Sequence, residues 1–202
     1  MKTGSHEQTL IILKPDAIQR GLIGEILIRF EKKGLKFVAF KMVWPTEKQA
    51  AAHYDWSEEE KLGSGNRTLE GYKEKGVEAP YGGDPIKIAE NTMRKLVTYL
   101  SAGPVIAAVI EGAHAIAHVR KVRGATNPLN ADIGSISADL SIDSYFISDE
   151  VDRATRNLVH ASGNVEEAKR EIALWFKEDE IHSYELPLEK VLYSKDWEFE
   201  QK

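Results

Sequence analysis

The chain contains no cysteine. Disulfides, thiolate catalysis and cysteine-ligated zinc are therefore excluded. It also lacks any apolar run near the roughly 20 residues that a membrane span requires. The opening residues, MKTGSHEQ, are polar and hold no apolar stretch of the signal-peptide kind. A soluble, cytoplasmic protein is expected. Basic excess is missing too: 27 Lys and Arg against 32 Asp and Glu leave a formal net charge of −5. No specific nucleic acid is therefore expected as a partner, although a local basic pocket for a phosphorylated small molecule fits. The frames G-x-x-x-x-G-K-[ST], H-R-D, D-F-G and H-E-x-x-H are all absent. His114 and His118 stand four apart and could share a helix face. Their neighbours Ala115, Ile116 and Ala117 are apolar, so helix packing or exposure is a simpler account than metal ligation.

What is present suits one domain over 1–202: 42% of the residues are hydrophobic, enough for a sizeable core. TLIIL (Thr9 to Leu13) reads as a buried strand, stopped by Lys14-Pro15-Asp16. Ile23, Ile26, Leu27 and Phe30 recur at helical spacing, with Gly34 as a C-terminal cap. LKFVAFKMV is a second strand. Thr46 and Gln49 open a short helix running to about Tyr54. From Ser57 to Gly83 the apolar pattern fails, and the stretch reads as a mobile or draped excursion from the core. Asp84-Pro85 opens a helix to about Leu100, PVIAAVIEG is a strand, and AHAIAHVRKVRG is a helix closed by Gly124. After a loop-rich stretch, NLVHAS is a short strand. Asn164 and Glu167 then cap a helix whose apolar face holds Val165, Ala168, Ile172 and Trp175. The tail from Glu178 reads as wrapping the domain or making a subunit contact. The order is β-α-β, helices, β-α-β. This predicts an α+β, ferredoxin-like βαββαβ sandwich: a four-stranded antiparallel sheet with helices on one face and extra helices.

In that fold the polar residues at strand and helix ends converge on one concave face. They are Lys14, Arg120, Arg123, Thr126, Asn157 and His160. Lysine and arginine neutralise phosphate charge, and a hydroxyl and an amide add hydrogen bonds. A neutral imidazole can attack phosphorus and hold the phosphoryl group, provided one ring nitrogen is free and the other is fixed. Glu171 is the candidate to fix it. The helix start after His160 favours negative charge.

The motifs resemble those of the nucleoside diphosphate kinase family. TLIILKPDAIQRGLIGEILIRFEKKGLKFV is similar to its opening, YLSAGPVIAAVIEG to its central strand, and VRKVRGATNP to its R-x-x-x-G-x-T-N-P segment. NLVHASGNVEEAKREIALWF resembles the block that carries its nucleophile. The resemblance implies transfer of the γ-phosphate from a nucleoside triphosphate to a nucleoside diphosphate by a ping-pong phosphohistidine mechanism, broad in base. It implies His160 as nucleophile, oriented by Glu171. Lys14 and Asn157 would contact the ribose and its neighbouring phosphate, Arg120 and Thr126 the β- and γ-phosphates, and Tyr54 would sit beside the histidine. Mg2+ would arrive on the nucleotide phosphates, without dedicated protein ligands. Assembly as a homo-oligomer, hexamer or tetramer, is implied as well. The sequence departs from the family in several places, among them the H-G-S-D-S string, which is His160-Ala161-Ser162-Gly163-Asn164 here, with the serine kept and the aspartate lost. Ser137, in GSISADL, stands where the family tends to have arginine, with Arg123 or Arg153 as candidate substitutes. Insertions lie at about 57–83 and 142–154. No aromatic residue clearly matches the one that stacks on the base. These departures motivate an alternative, a nucleotide-binding regulatory module with weak or no transfer.

Overall fold

The structure, a computed structural model, describes residues 6–197, the side chains of 74 and 75 excepted. The opening MKTGS, on which the expectation about secretion partly rests, lies outside the described residues. In chain order the elements are β1 (His6–Leu13), α1 (Pro15–Gln19), α2 (Ile23–Lys32), β2 (Lys36–Val43), α3 (Glu47–His53), α4 (Glu58–Lys75) and α5 (Pro85–Ser101). There follow β3 (Val105–Ala113), α6 (Ala115–Arg123), α7 (Ile136–Leu140), α8 (Tyr145–Glu150), β4 (Val159–Ala161), α9 (Val165–Trp175) and α10 (Pro187–Tyr193). Among the described residues no helix is long and apolar enough to cross a membrane.

The four strands form one antiparallel sheet in the order β2-β3-β1-β4. The strand order and the two crossover helices, α2 and α6, match the ferredoxin-like expectation. Side chains alternate along β1. Ile11 and Leu13 join Phe30, Val119 and Ile136 on the face covered by α2 and α6. Leu10 and Ile12 join Ala50, Leu100 and Trp175 on the other, where the extra helices α3, α5 and α9 pack. Both faces are therefore buried, which explains why β1 and β3 read as unbroken apolar runs.

One expectation fails. Residues 57–83 are not a structureless excursion: α4 occupies 18 of them. Its start carries a complete capping box, in which Ser57 Oγ accepts from Glu60 N (3.3 Å) and the Glu60 carboxylate accepts from Ser57 N (2.7 Å). Gly76, at φ +65°, ends it in the left-handed conformation. Hydrophobic periodicity misses such a helix because its ends, rather than an apolar stripe, specify it. It packs along α5. The inserted α8 is capped by Ser144 and tied to α5 by Lys95–Asp152 at 2.7 Å. The tail wraps the domain: His182 N donates to Val38 O (2.8 Å), Tyr184 Oη to Phe37 O (2.6 Å), and Lys36 pairs with Glu189 (2.7 Å).

Candidate active site

The pairing of β4 with β1 sets His160 opposite Ile12. Directly opposed residues share a sheet face. His160 therefore turns toward α3 and α9, while Val159 and Ala161 enter the α2–α6 core. The strand is entered through strained backbone. Leu158 is non-glycine at φ +65°, and Val159 N donates to Asn157 O (2.7 Å) across it. Such a turn costs roughly 1–3 kcal/mol. It is held by the Asp16 carboxylate, which accepts from Leu158 N (3.2 Å) and from Tyr99 Oη (2.5 Å).

At His160, Nε2 lies 2.9 Å from the Glu171 carboxylate, a contact in which a protonated Nε2 donates. Glu171 comes from the middle of α9 and is 2% exposed. Its carboxylate also accepts from Ser162 Oγ at 2.6 Å. Burial pushes the Glu171 carboxyl above its ordinary value, and the Ser162 bond counteracts that. Nδ1 of His160 has no hydrogen-bond partner among the described residues. Burial first, and the Lys14 charge second, lower the His160 pKa to about 3. The ring is thus neutral across the physiological range.

Lys14 and Asn157 are both buried and joined, Nζ donating to Oδ1 at 2.7 Å. The Asn157 amide donates in turn to Thr126 O at 2.8 Å. Burial lowers the Lys14 pKa to about 8, Asp16 raises it, and Arg123 lowers it further. Its ammonium also lies 5.2 Å from the centre of the Tyr99 ring. Arg120 is exposed in the last turn of α6 and acts electrostatically on His160. Among the residues singled out from the sequence, Lys14, Asn157 and Thr126 form one hydrogen-bonded group and His160 with Glu171 another; the charges of Lys14 and Arg120 act on His160.

Tyr54 is 5% exposed and belongs to the apolar core with Leu100 and Trp175. The ring against His160 is that of its neighbour His53, at 4.4 Å between centroids and 81°. Tyr54 packs edgewise on the far ring, at 4.7 Å from His53. His53 is a site residue that sequence reasoning passed over, and Ser162 figures there only as the retained serine of its motif, without a role. The Trp175 indole N–H donates to His53 Nδ1 at 3.3 Å, which leaves the proton of His53 on Nε2. Burial, followed by repulsion from His160 once both rings are protonated, lowers the His53 pKa to about 3. The H-Y pair and the serine two residues after His160 were available as signals.

His53, His160 and Glu171 bring three ligand atoms within 4.8 Å of one another, the right kinds for a divalent transition metal. The indole bond on His53 and the cations around His160 favour the hydrogen-bonded arrangement instead. Lys14, Arg120 and Arg123 around a neutral His160 suit an anionic group better than a bare cation. Of the two candidate substitutes for an arginine at 137, Arg153 is committed elsewhere: its guanidinium forks onto Asp143 at 2.6 and 3.1 Å. Ser137 is buried, with no partner for its hydroxyl among the described residues.

Comparison with known proteins follows this geometry. The family profile described as "Nucleoside diphosphate kinase" matches residues 7–64 and 86–181. A nucleoside diphosphate kinase of Pyrobaculum aerophilum is 45% identical over 178 residues, covering 87% of this chain and 97% of its own. One of Pyrococcus abyssi is 41% identical over 184 residues, covering 91% and 92%. The crystal structure of an NDP kinase from Pyrobaculum aerophilum superposes with a TM-score of 0.84 at 43% identity, over 88% of this chain and all of that one. A transition-state mimic of the Borrelia burgdorferi nucleoside-diphosphate kinase, with bound vanadate and ADP, gives 0.78 at 35% identity, over 95% and 99%.

Proposed function

Because this chain belongs to the nucleoside diphosphate kinase family and so transfers phosphoryl groups between nucleotides, we propose that the transfer runs through a phosphohistidine on Nδ1 of His160. The observation that carries this reading is the buried 2.9 Å bond from His160 Nε2 to Glu171. It keeps the proton on Nε2 and leaves the Nδ1 lone pair for attack. In the first half-reaction the N–P bond forms as the bond from the γ-phosphorus to its bridging oxygen breaks, and the diphosphate leaves with that electron pair. In the second, a terminal β-oxygen of the acceptor diphosphate attacks, and the N–P pair returns to Nδ1. No proton need leave the ring, and Glu171 offsets the positive charge that develops on it.

Lys14 and Asn157 are assigned to the ribose and its neighbouring phosphate, Arg120 and Thr126 to the β- and γ-phosphates. Charge neutralisation by these preorganised groups lowers the barrier. Mg2+ enters as part of the nucleotide and adds charge neutralisation on the phosphates. Contacts confined to phosphate and sugar make the enzyme broad in base. The expected assembly is a homo-oligomer, a hexamer or tetramer. The exposed Phe40 and Met42 on β2, an edge strand, and Trp44 just after it supply apolar surface for a subunit contact.

The test is a phosphoenzyme chase. The wild type, mixed with magnesium and γ-labelled ATP, acquires an acid-labile, base-stable label that passes to GDP. His160→Ala takes up no label and loses turnover by at least about 10³-fold, while still binding nucleotide. Full residual activity in that variant sinks the mechanism. Binding without any labelling of the wild type points to the regulatory-module reading.

A further inference from the structure

Arg123 ends α6 one turn after Arg120. Its Nε donates to Gly124 O at 3.1 Å, and one terminal nitrogen donates to Thr126 Oγ1 at 3.1 Å. Both acceptors are neutral. Among the described residues no carboxylate lies within ion-pair distance of it, although it is half-buried and its charge reaches both Lys14 and His160. Burial, and then the charge of Arg120, make its ionised state costly. Three cations, Lys14, Arg120 and Arg123, thus act on one neutral nucleophile. Such an arrangement is stabilised when an anion enters among them.

The packing under Arg123 explains why the cation stands here. Gly124 lies at φ +90°, and a Cβ built on it would fall 2.4 Å from Ser135 Oγ and 3.3 Å from Ser137 Cβ. The Arg123–Gly124 turn therefore sits on Ser135, with Ser137 beside it. A guanidinium rooted at 137 would start beside that turn; here the guanidinium is rooted in the turn itself. Arg153, the other candidate, is neutralised by its fork onto Asp143.

We propose that Arg123 is a phosphate ligand of this enzyme. With Thr126 it grips the terminal phosphates of the nucleotide, in place of an arginine at position 137. The proposal rests on the reading of His160 as nucleophile. The guanidinium presents a planar fork of donors, of which Thr126 Oγ1 and Gly124 O engage only part. A phosphate oxygen can take the remainder.

The test is Arg123→Gln, read by the rate of His160 labelling from γ-labelled ATP and by the dissociation constants of ADP and AMP. The expected result is a fall of about 10²-fold in kcat/KM for the diphosphate acceptor. ADP binding weakens at least about tenfold, AMP binding holds, and the melting temperature stays close to that of the wild type. Adding Ser137→Arg to that variant restores at least about tenfold in rate, which a merely structural role for Arg123 would not give. Labelling and ADP affinity at wild-type levels in Arg123→Gln overturn the proposal. If that variant does not fold, wild-type protein is treated with phenylglyoxal with and without saturating ADP, and its peptides are mapped. Protection of Arg123 by ADP supports the proposal, and equal modification overturns it. A wild type that takes no label on His160 fails the nucleophile reading itself, a result distinct from a labelled wild type matched by Arg123→Gln.

Discussion

The His160 pocket and helix α4 are both rich in polar and charged residues, yet they are held in opposite ways. In the pocket, the bonds join residues far apart in the chain: Lys14 to Asn157, Asn157 to Thr126, Asp16 to Leu158. Lys14, Asp16, Asn157 and Leu158 are buried, so each missing partner among them would leave a desolvated polar atom, at about 1–3 kcal/mol. Helix α4 is fixed by bonds spanning three or four residues, at its capping box and along its backbone, with much of its surface in water. A long-range buried network fixes the directions its groups point, which phosphoryl transfer requires. A locally closed helix needs only to dock, and tolerates change wherever it does not touch α5.

That contrast can be broken first at Glu171. Glu171→Gln keeps the shape and removes the charge that orients His160. A loss of about 10²-fold in kcat, with nucleotide affinity unchanged, is expected from single-turnover labelling alongside equilibrium binding. An unaffected kcat would mean that the network is structural only. The next largest effect belongs to the other region. A Cβ built on Gly65, inside α4, falls 2.0 Å from the carbonyl oxygen of Pro85. In an unconstrained helix Gly→Ala gains about 1 kcal/mol. Here Gly65→Ala should lose about 2–3 kcal/mol, because backbone cannot yield as a flexible side chain does. Urea midpoints should fall while kcat at 25 °C stays put; a stabilised variant would show that α4 is not docked as described.

The third effect sharpens the electrostatic side. Lys14 titrates at about 8, lowered mainly by burial. Its ammonium is present below that pH and lost above it. In the free enzyme kcat/KM should therefore be level up to about pH 8 and fall about tenfold per unit beyond. Bound phosphate holds the proton, so the corresponding limb of kcat lies higher. Lys14→Arg should abolish the limb in kcat/KM. A limb near the ordinary lysine value of about 10.4 would contradict the desolvation of Lys14.

Much of the pocket was legible in the sequence because its residues sit in short, dense strings. K-P-D at the end of β1, R-x-x-x-G-x-T-N-P after α6, and the eleven-residue step from His160 to Glu171 all name partners that the fold brings together. His53 was not legible: Tyr54 drew the attention, and only the packing of α3 against α9 puts the preceding ring on His160 and the Trp175 indole on its nitrogen. Helix α4 was missed for a different reason. Apolar periodicity is weak there, and the signal that mattered was Ser57 followed three residues later by Glu60.

The sequence alone determined the order of the four strands and of the helices that pack on them through an apolar face, from unbroken apolar runs and apolar periods of three to four. It also determined the residue types for phosphate and imidazole chemistry, which are properties of single side chains. Only the tertiary structure decided how those groups meet. The register of β4 on β1 turns His160 away from the α2–α6 core and toward Glu171, and a one-residue slip would have reversed it. The seat of Arg123 beside Ser137 depends on how closely the turn at Gly124 approaches α7. Such approaches are set by long-range packing, which no local string of residues encodes.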